Sequence, residues 1–280
     1  MDLGEIGVWS GEAFFGDPDQ ATGLAVAAEE AGYGAMWIPG GGGGEVLERC
    51  ALALEATSSL TIATGIVNIW RHDAAEVAEI ANHLAASTGG RFLLGLGVSH
   101  ERLIGEEYVT PLAKMRSYLD ELDAAGHPPE QRCLAALRPK MLELSAARSL
   151  GTHSYFVPPE HTAAAREELG EGPLIMPEQT VLIESDPVEA RAVARKFCKL
   201  YLGLPNYTNN LRDLGYTDDD IGNSGSDRLI DAIVAWGDPD TIATRVRAHH
   251  DAGADHVCIQ SIGPMATADV WRELAPALLG

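Results

Sequence analysis

Hydrophobic positions along the chain fall into short unbroken runs, and between the runs they recur every three or four residues. Ile6 to Trp9 is such a run, and Ala21, Leu24, Ala25, Ala28 and Ala31 follow it at helical spacing until Gly32. Ala35 to Ile38 is followed by Val46, Leu47, Cys50, Ala51 and Leu54. Leu60 to Val67 is followed by Val77, Ile80, Ala81 and Leu84, and Phe92 to Leu96 by a helical pattern over Pro111 to Ala125. The second half predicts strands at Cys133–Leu137, Thr152–Phe156, near Thr180–Glu184 and at His256–Ile259. Helices are predicted at Pro139–Leu150, Glu160–Leu169, Asp186 to about Tyr201, Asp227–Trp236, Asp238–Ala252 and Ala266–Leu279. Asp186-Pro187 is a capping residue followed by proline at the first helical position, a strong start signal.

Strands that read as continuous apolar runs, each followed by a helix, predict a parallel sheet covered on its outside. Eight of them in 280 residues fit one closed (β/α)8 TIM barrel, a fold of roughly 250 residues. The stretch 203–226, rich in Pro, Asn, Gly and Asp, reads as an irregular insertion between strands 7 and 8 of a single domain spanning 1–280. An open doubly wound sheet is the rival. The first strand-helix turn, Val8-Trp9-Ser10-Gly11-Glu12, lacks the G-x-G-x-x-G that would favour it.

Composition narrows the partners. The net charge of −21 repels phosphate backbones and anionic lipid heads, so nucleic acid and membrane surfaces are not expected. The acidic start MDLGEIGVWSG does not read as a signal peptide, and no apolar run reaches membrane-spanning length, which predicts a cytoplasmic protein. Cys50, Cys133, Cys198 and Cys258 lie far apart in sequence and read as buried thiols. Asp218-Asp219-Asp220 reads as a helix-start charge cluster, and His249-His250 as part of an outer helix facing solvent or a neighbouring helix.

In a barrel, chemistry sits at the carboxyl ends of the strands. No paired histidines stand on an early strand for a metal site, no lysine lies on a strand for a Schiff base, and no pair of carboxylates suggests a glycosidase. Left over are apolar, aromatic and amide-bearing positions: Trp9, Gly65 to Trp70, Gly95 to His100 and Leu137 to Met141. Such a lining suits a flat aromatic cofactor. The glycines of Gly95-Leu96-Gly97 either let a ligand approach the backbone or relieve crowding inside the barrel. Pro139 begins a helix whose amides, with Arg138 and Lys140, offer an anion a resting place, and the same two basic residues also read as a solvated surface.

The segments GLGVSH, ATGIVNIWRHD, LAALRPKMLEL and HDAGADHVCIQ, in this order and spacing, resemble the bacterial-luciferase-like flavin and deazaflavin oxidoreductases, in particular actinobacterial members that use coenzyme F420. SYFVPPEHT, MPEQTV, LPNYTNNLRDLGYTDDDI and SDRLIDAIVAWGDPD extend the likeness over nearly the whole chain. The resemblance implies the TIM barrel with its insertion, a non-proline cis peptide between Gly65 and Ile66 against the deazaflavin ring, and a homodimer. It further implies ring or ribityl contacts at Asn68, Val98 and Ser99, and a phosphate cradle at Leu137, Arg138, Lys140 and Met141. Hydride transfer at C5 of F420 to or from a small organic substrate is the implied reaction.

Family members acting on alcohols or sugars often carry a histidine after the second strand and a glutamate after the fourth, and these positions read Gly40 and His100. Gly40 opens a run to Gly44 that reads as a mobile loop. His100 then becomes the candidate catalytic acid-base group, and its alternative is a hydrogen bond to cofactor or backbone. Trp9, Trp70 and Arg71 are candidate substrate-pocket walls. Three readings follow: an F420-dependent oxidoreductase, an FMN-dependent two-component monooxygenase on the same barrel, and a noncatalytic flavin- or deazaflavin-binding protein.

Overall fold

In the computed structural model, which describes residues 1–40 and 45–280, the strands and helices alternate as the sequence predicts. The strands are β1 (Ile6–Trp9), β2 (Ala35–Gly40), β3 (Thr61–Asn68), β4 (Phe92–Gly97), β5 (Arg132–Leu134), β6 (Gly151–Thr152), β7 (Leu174–Ile175), β8 (Glu178–Ile183), β9 (Val234–Gly237) and β10 (Val257–Ser261). All pair in parallel, in the order β7-β6-β5-β4-β3-β2-β1-β10-β8-β9. This is an α/β fold with a curled, all-parallel sheet of the TIM-barrel-like kind. Gly40 closes β2, and the expected loop over 41–44 lies outside the described residues.

The two ends of this order meet in one segment, 174–183, which holds β7 and β8 around Met176-Pro177. Along one edge Leu174, Met176 and Glu178 donate their amides to the carbonyls of Leu150, Thr152 and Ser154. Along the other, the amides of Asp255, Cys258 and Ile262 bond to Ile175, Pro177 and Val181. Beyond Glu178 the first edge passes to β9, with Thr180 opposite Val234.

Alternation of side chains along each strand sorts the core into two faces. Trp9, Trp37, Ala63, Leu93, Cys133, Met176 and Cys258 form a cluster inside the curl. Val8, Met36, Ile38, Ile62, Leu94, Leu96 and Ile259 face the helices in a larger one. All four cysteines are buried and free. Asp186 caps its helix as its sequence implies, accepting from the amides of Val188 (2.8 Å) and Glu189 (3.1 Å). Asp220 closes a capping box with Thr217 and pairs with Arg228, and Asp218 pairs with Arg212, the helix-start role expected of this cluster. His249 is buried between Thr162 Oγ1 (2.8 Å) and Gln179 Oε1 (3.1 Å). Among the described residues no group of side chains is arranged to hold a metal ion, and no helix is long and apolar enough to cross a membrane.

Three expectations need correction. The helix expected over Asp227–Trp236 ends at Ile233, where Val234 turns extended and β9 begins. The helical spacing of Leu229, Ile230, Ile233 and Val234 had hidden the change. The fifth and sixth strands stop earlier than their apolar runs, which leaves Leu137 and Tyr155 in loops at the strand ends. The segment 203–226 is largely helical, with helices at Pro205–Asp213 and Asp218–Ile221. Tyr207, Leu211, Tyr216 and Ile221 bury it against Leu182, Ala190, Ala194 and Cys198 in a core of its own. Its polar composition belongs to the outward face of these helices.

Candidate active site

The carboxyl ends of β3, β4 and β5, the turn after β6 and the helix Pro205–Asp213 enclose a cavity of about 150 Å³. It is lined by Ile66 from β3, Gly97 at the end of β4 with Val98, Ser99 and His100 after it, and Leu137, Arg138 and Met141 at the start of the helix Pro139–Arg148. His153, Tyr155, Asn206 and Tyr207 complete it. An outer cleft of about 460 Å³ shares His100 and Asn206 and continues past Arg102 and Tyr108. A hollow of about 510 Å³ lies at the opposite end of the strands, among Met1 to Glu5, Gln131 and His256. Size alone does not select the site, because active sites of this architecture sit at the carboxyl ends.

Of the residues expected in the site, Ile66, Val98, Ser99, His100, Leu137, Arg138 and Met141 meet at the cavity. The Gly65-Ile66 peptide bond is cis, as the resemblance implies. Ser99 takes a left-handed conformation with φ +54°, uncommon for a residue with a side chain. Asn68 is buried and its Oδ1 accepts from the Trp70 amide at 3.0 Å. Trp70 turns away from the cavity: its Nε1–H donates to the Val98 carbonyl at 2.8 Å, and its ring packs on Tyr108. Arg71 pairs with Glu107 at 3.6 Å on the surface. Lys140 is exposed. Trp9 does not line the cavity. It is buried behind it against Tyr155, ring centroids 5.4 Å apart.

The crowding reading of the fourth-strand glycines holds. A Cβ on Gly95 would stand 1.9 Å from the Thr64 carbonyl oxygen, and one on Gly97 2.6 Å from the Ile66 side chain. Gly65 has the same need toward the interior, where a Cβ would lie 2.8 Å from Trp9 Nε1 and 3.3 Å from His153 Nε2. Both ring nitrogens are buried and have no hydrogen-bond partner within the protein. His153 Nδ1 lies 2.9 Å from the Met176 carbonyl. A carbonyl only accepts, so the proton is on Nδ1. Burial pulls the His153 pKa down to about 4, so at neutral pH the ring is uncharged and Nε2 is a bare acceptor. The ring is held by stacking on Trp37, with centroids 4.2 Å apart and planes 15° from parallel.

His100 precedes the short helix Glu101–Ile104 and packs against Tyr207 at 5.1 Å. Burial lowers its pKa, leaving it neutral at pH 7. Arg138 reaches across to Asp213, Nε to Oδ2 2.9 Å, in a half-exposed ion pair. Behind Tyr155 lies a buried polar cluster. Its hydroxyl donates to Gln260 Oε1 at 2.7 Å and shares a 2.8 Å hydrogen bond with Tyr201. Nearby Glu178 accepts from Thr180 Oγ1 at 2.7 Å and from the Phe156 amide at 3.4 Å. Burial pushes its pKa up to about 7.

Sequence reasoning missed His153, Tyr155, Asn206 and Tyr207. The first two follow directly on β6, and a histidine and a tyrosine at the carboxyl end of a barrel strand were themselves a signal. Asn206 and Tyr207 come from the segment read as irregular.

A model of the luciferase-like monooxygenase family matches residues 2–126 and 121–256. A protein of Mycobacterium tuberculosis, provisionally assigned as a coenzyme F420-dependent oxidoreductase, is 28% identical over 125 residues, which cover 43% of this chain and 35% of the relative. The match thus spans about a third of that relative's length. Among solved structures, an F420-dependent secondary alcohol dehydrogenase in complex with an F420-acetone adduct superposes with a TM-score of 0.76 at 15% identity, covering 98% of both chains. The coenzyme F420-dependent tetrahydromethanopterin reductase of Methanopyrus kandleri gives 0.72, also at 15% identity and 98% of both chains. The oxygenating constituent of 3,6-diketocamphane monooxygenase from Pseudomonas putida, bound to FMN, gives 0.71 at the same identity and coverage. At these identities the structural matches establish the fold.

Proposed function

The chain belongs to the luciferase-like monooxygenase family, and we propose that within it this protein is an F420-dependent oxidoreductase acting on a small organic substrate. One observation carries the reading. A single cavity at the carboxyl ends of the strands joins His153, whose buried Nε2 has no partner within the protein, to the start of a helix carrying Arg138. This fits a flat polar heterocycle with an anionic tail: glycine backbone for the ring, hydrogen-bonding atoms at its inner end, and a helix N-terminus with a guanidinium for the tail. The inner cavity alone is smaller than the several hundred Å³ usual for a cofactor site, and the adjoining cleft supplies the rest.

The chemistry F420 supplies when bound is hydride transfer at C5. The protein's part is to bind, orient and exclude water. Ile66, Gly97, Val98 and Ser99 form the wall against the ring, with Asn68 supporting the strand end behind them. Leu137, Arg138, Lys140 and Met141 hold the phosphate. His100, neutral at pH 7, accepts or returns the substrate proton at a ring nitrogen.

Two variants test these assignments. Arg138→Glu removes a charge-assisted hydrogen bond and sets a carboxylate beside Asp213, so F420 affinity should fall about tenfold or more. Unchanged affinity by fluorescence titration would remove the phosphate assignment. His100→Ala should lower turnover about 100-fold or more, the usual contribution of an acid-base group, with F420 affinity preserved. Equal turnover would dismiss the role. The FMN monooxygenase reading, suggested by the FMN-bound neighbour of the same fold, is separated from this one by cofactor choice.

A further inference from the structure

The helix Pro205–Asp213 brings Asn206 and Tyr207 to the cavity. His100 and Asn206 line both the inner cavity and the outer cleft, whereas Tyr207 lines the inner cavity and not the cleft. Among the described residues the Tyr207 hydroxyl has no hydrogen-bond partner, and, unlike the ring nitrogens of Trp9 and His153, it is not sealed off from accessible surface. The side chain is otherwise more than nine-tenths buried. Its ring packs against His100 at 5.1 Å, Phe156 at 5.4 Å and Tyr201 at 5.5 Å between centroids, the last edge-on at 88°. Tyr155, the other tyrosine of the lining, gives its proton to Gln260 Oε1. Tyr207 is thus a fixed phenol whose O–H is uncommitted. Burial, with Tyr201 and Glu178 nearby, holds its pKa well above the usual phenol range, so it stays protonated and able to donate.

We propose that the Tyr207 hydroxyl donates to the acceptor oxygen of a neutral substrate, a carbonyl or hydroxyl oxygen, and holds it beside His100. The two groups divide the work. Tyr207 donates and keeps its proton, and His100 exchanges the substrate proton. Among the described residues no carboxylate lines the inner cavity, and Arg138 is paired with Asp213. An ammonium group would therefore enter without a counter-charge, and a carboxylate would meet two neutral side chains in place of a free cation. A neutral oxygen is the group that this pair satisfies at least cost in desolvation. The assignment rests on the proposed function, since it takes this cavity as the substrate site beside the cofactor. It adds a recognition residue from the segment 203–226, where Gly40 leaves the end of β2 without a side chain.

The test compares two probes of like shape, cyclohexanone and methylenecyclohexane, of which only the ketone carries an acceptor oxygen. Their dissociation constants are measured by ligand-observed NMR on the full chain saturated with F420, and again on Tyr207→Phe, which keeps the ring and removes the donor. The variant should bind cyclohexanone about three- to tenfold more weakly, with methylenecyclohexane binding and F420 affinity unchanged. Unchanged F420 affinity also shows that the variant is folded. Equal losses with both probes would reduce Tyr207 to a packing role and overturn the proposal. Unaltered cyclohexanone binding in the variant, or no cyclohexanone binding to the F420-loaded protein, would overturn it as well. The F420 arm reads separately: failure of F420 to bind strikes the proposed function, whereas F420 binding with cyclohexanone affinity indifferent to Tyr207→Phe strikes this inference alone.

Discussion

Lowering the pH from 6.5 toward 4 should unfold this protein. Burial holds His127, His153 and His256 to pKa values of about 4 and His249 to about 3, against 6.5 for an unfolded histidine. Below 6.5 the unfolded chain binds protons that the folded chain refuses, so stability falls as the pH falls. It is fully present above 6.5 and lost through the window down to the folded values, at about 3 kcal/mol for each group. Glu178 works the other way. Its folded pKa of about 7 lies above the unfolded value, so its burial costs stability above pH 7 and the cost disappears as the pH falls to about 4.5. Four groups against one leave a net loss on the order of 10 kcal/mol, comparable with the whole stability of a domain. Circular dichroism against pH should show cooperative unfolding between 6.5 and 4, and His249→Gln should flatten the curve. Unchanged thermal stability at pH 4.5 would contradict the burial of neutral imidazoles.

Gly95→Ala should be strongly damaging for a single added methyl. The added Cβ meets the Thr64 carbonyl oxygen at 1.9 Å, a backbone atom in the adjacent strand that no rotamer change can move aside. The same contact is braced by Thr64 Oγ1, which accepts from the Gly95 amide and donates to the Gly95 carbonyl, both at 2.8 Å. Overpacking of this kind costs about 1–3 kcal/mol where side chains absorb it. Against backbone the expected loss is about 3 kcal/mol or more, read as a lower urea midpoint with an unchanged slope. Gly23→Ala, where a Cβ meets nothing within 4 Å, serves as the control and should be neutral or slightly stabilising. Equal midpoints for the two variants would refute the close approach of β3 and β4.

These buried polar groups also explain which parts of the fold were legible in the sequence. β1 to β4 read cleanly because both their faces are apolar, Trp9, Trp37, Ala63 and Leu93 inside the curl and Val8, Met36, Ile62 and Leu94 against the helices. β5 begins with Arg132, fully buried yet charged, its guanidinium satisfied by Asp123 at 2.6 Å. Glu178, Gln179 and Thr180 open β8 with buried polar side chains that find hydrogen-bond partners within the protein. A pattern that equates buried with apolar passes over such residues, and it also misses a two-residue strand such as β7. At the site, the strand-end glycines and the Arg138-Pro139 helix start were readable because each depends on local backbone geometry. The stacking of His153 on Trp37 was not, since it joins residues far apart in sequence across the interior of the curl. Tyr207 was lost with the segment 203–226, whose polar outward face hides the apolar side that closes over the cavity.

The central claim is that the cavity bounded by Ile66, Ser99 and Arg138 is a deazaflavin site. Titration of the purified protein with F420 and, separately, with FMN tests it most directly. F420 should bind with a Kd in the micromolar range or tighter, and at least tenfold more tightly than FMN. Tighter binding of FMN, or no binding of F420, would contradict the account.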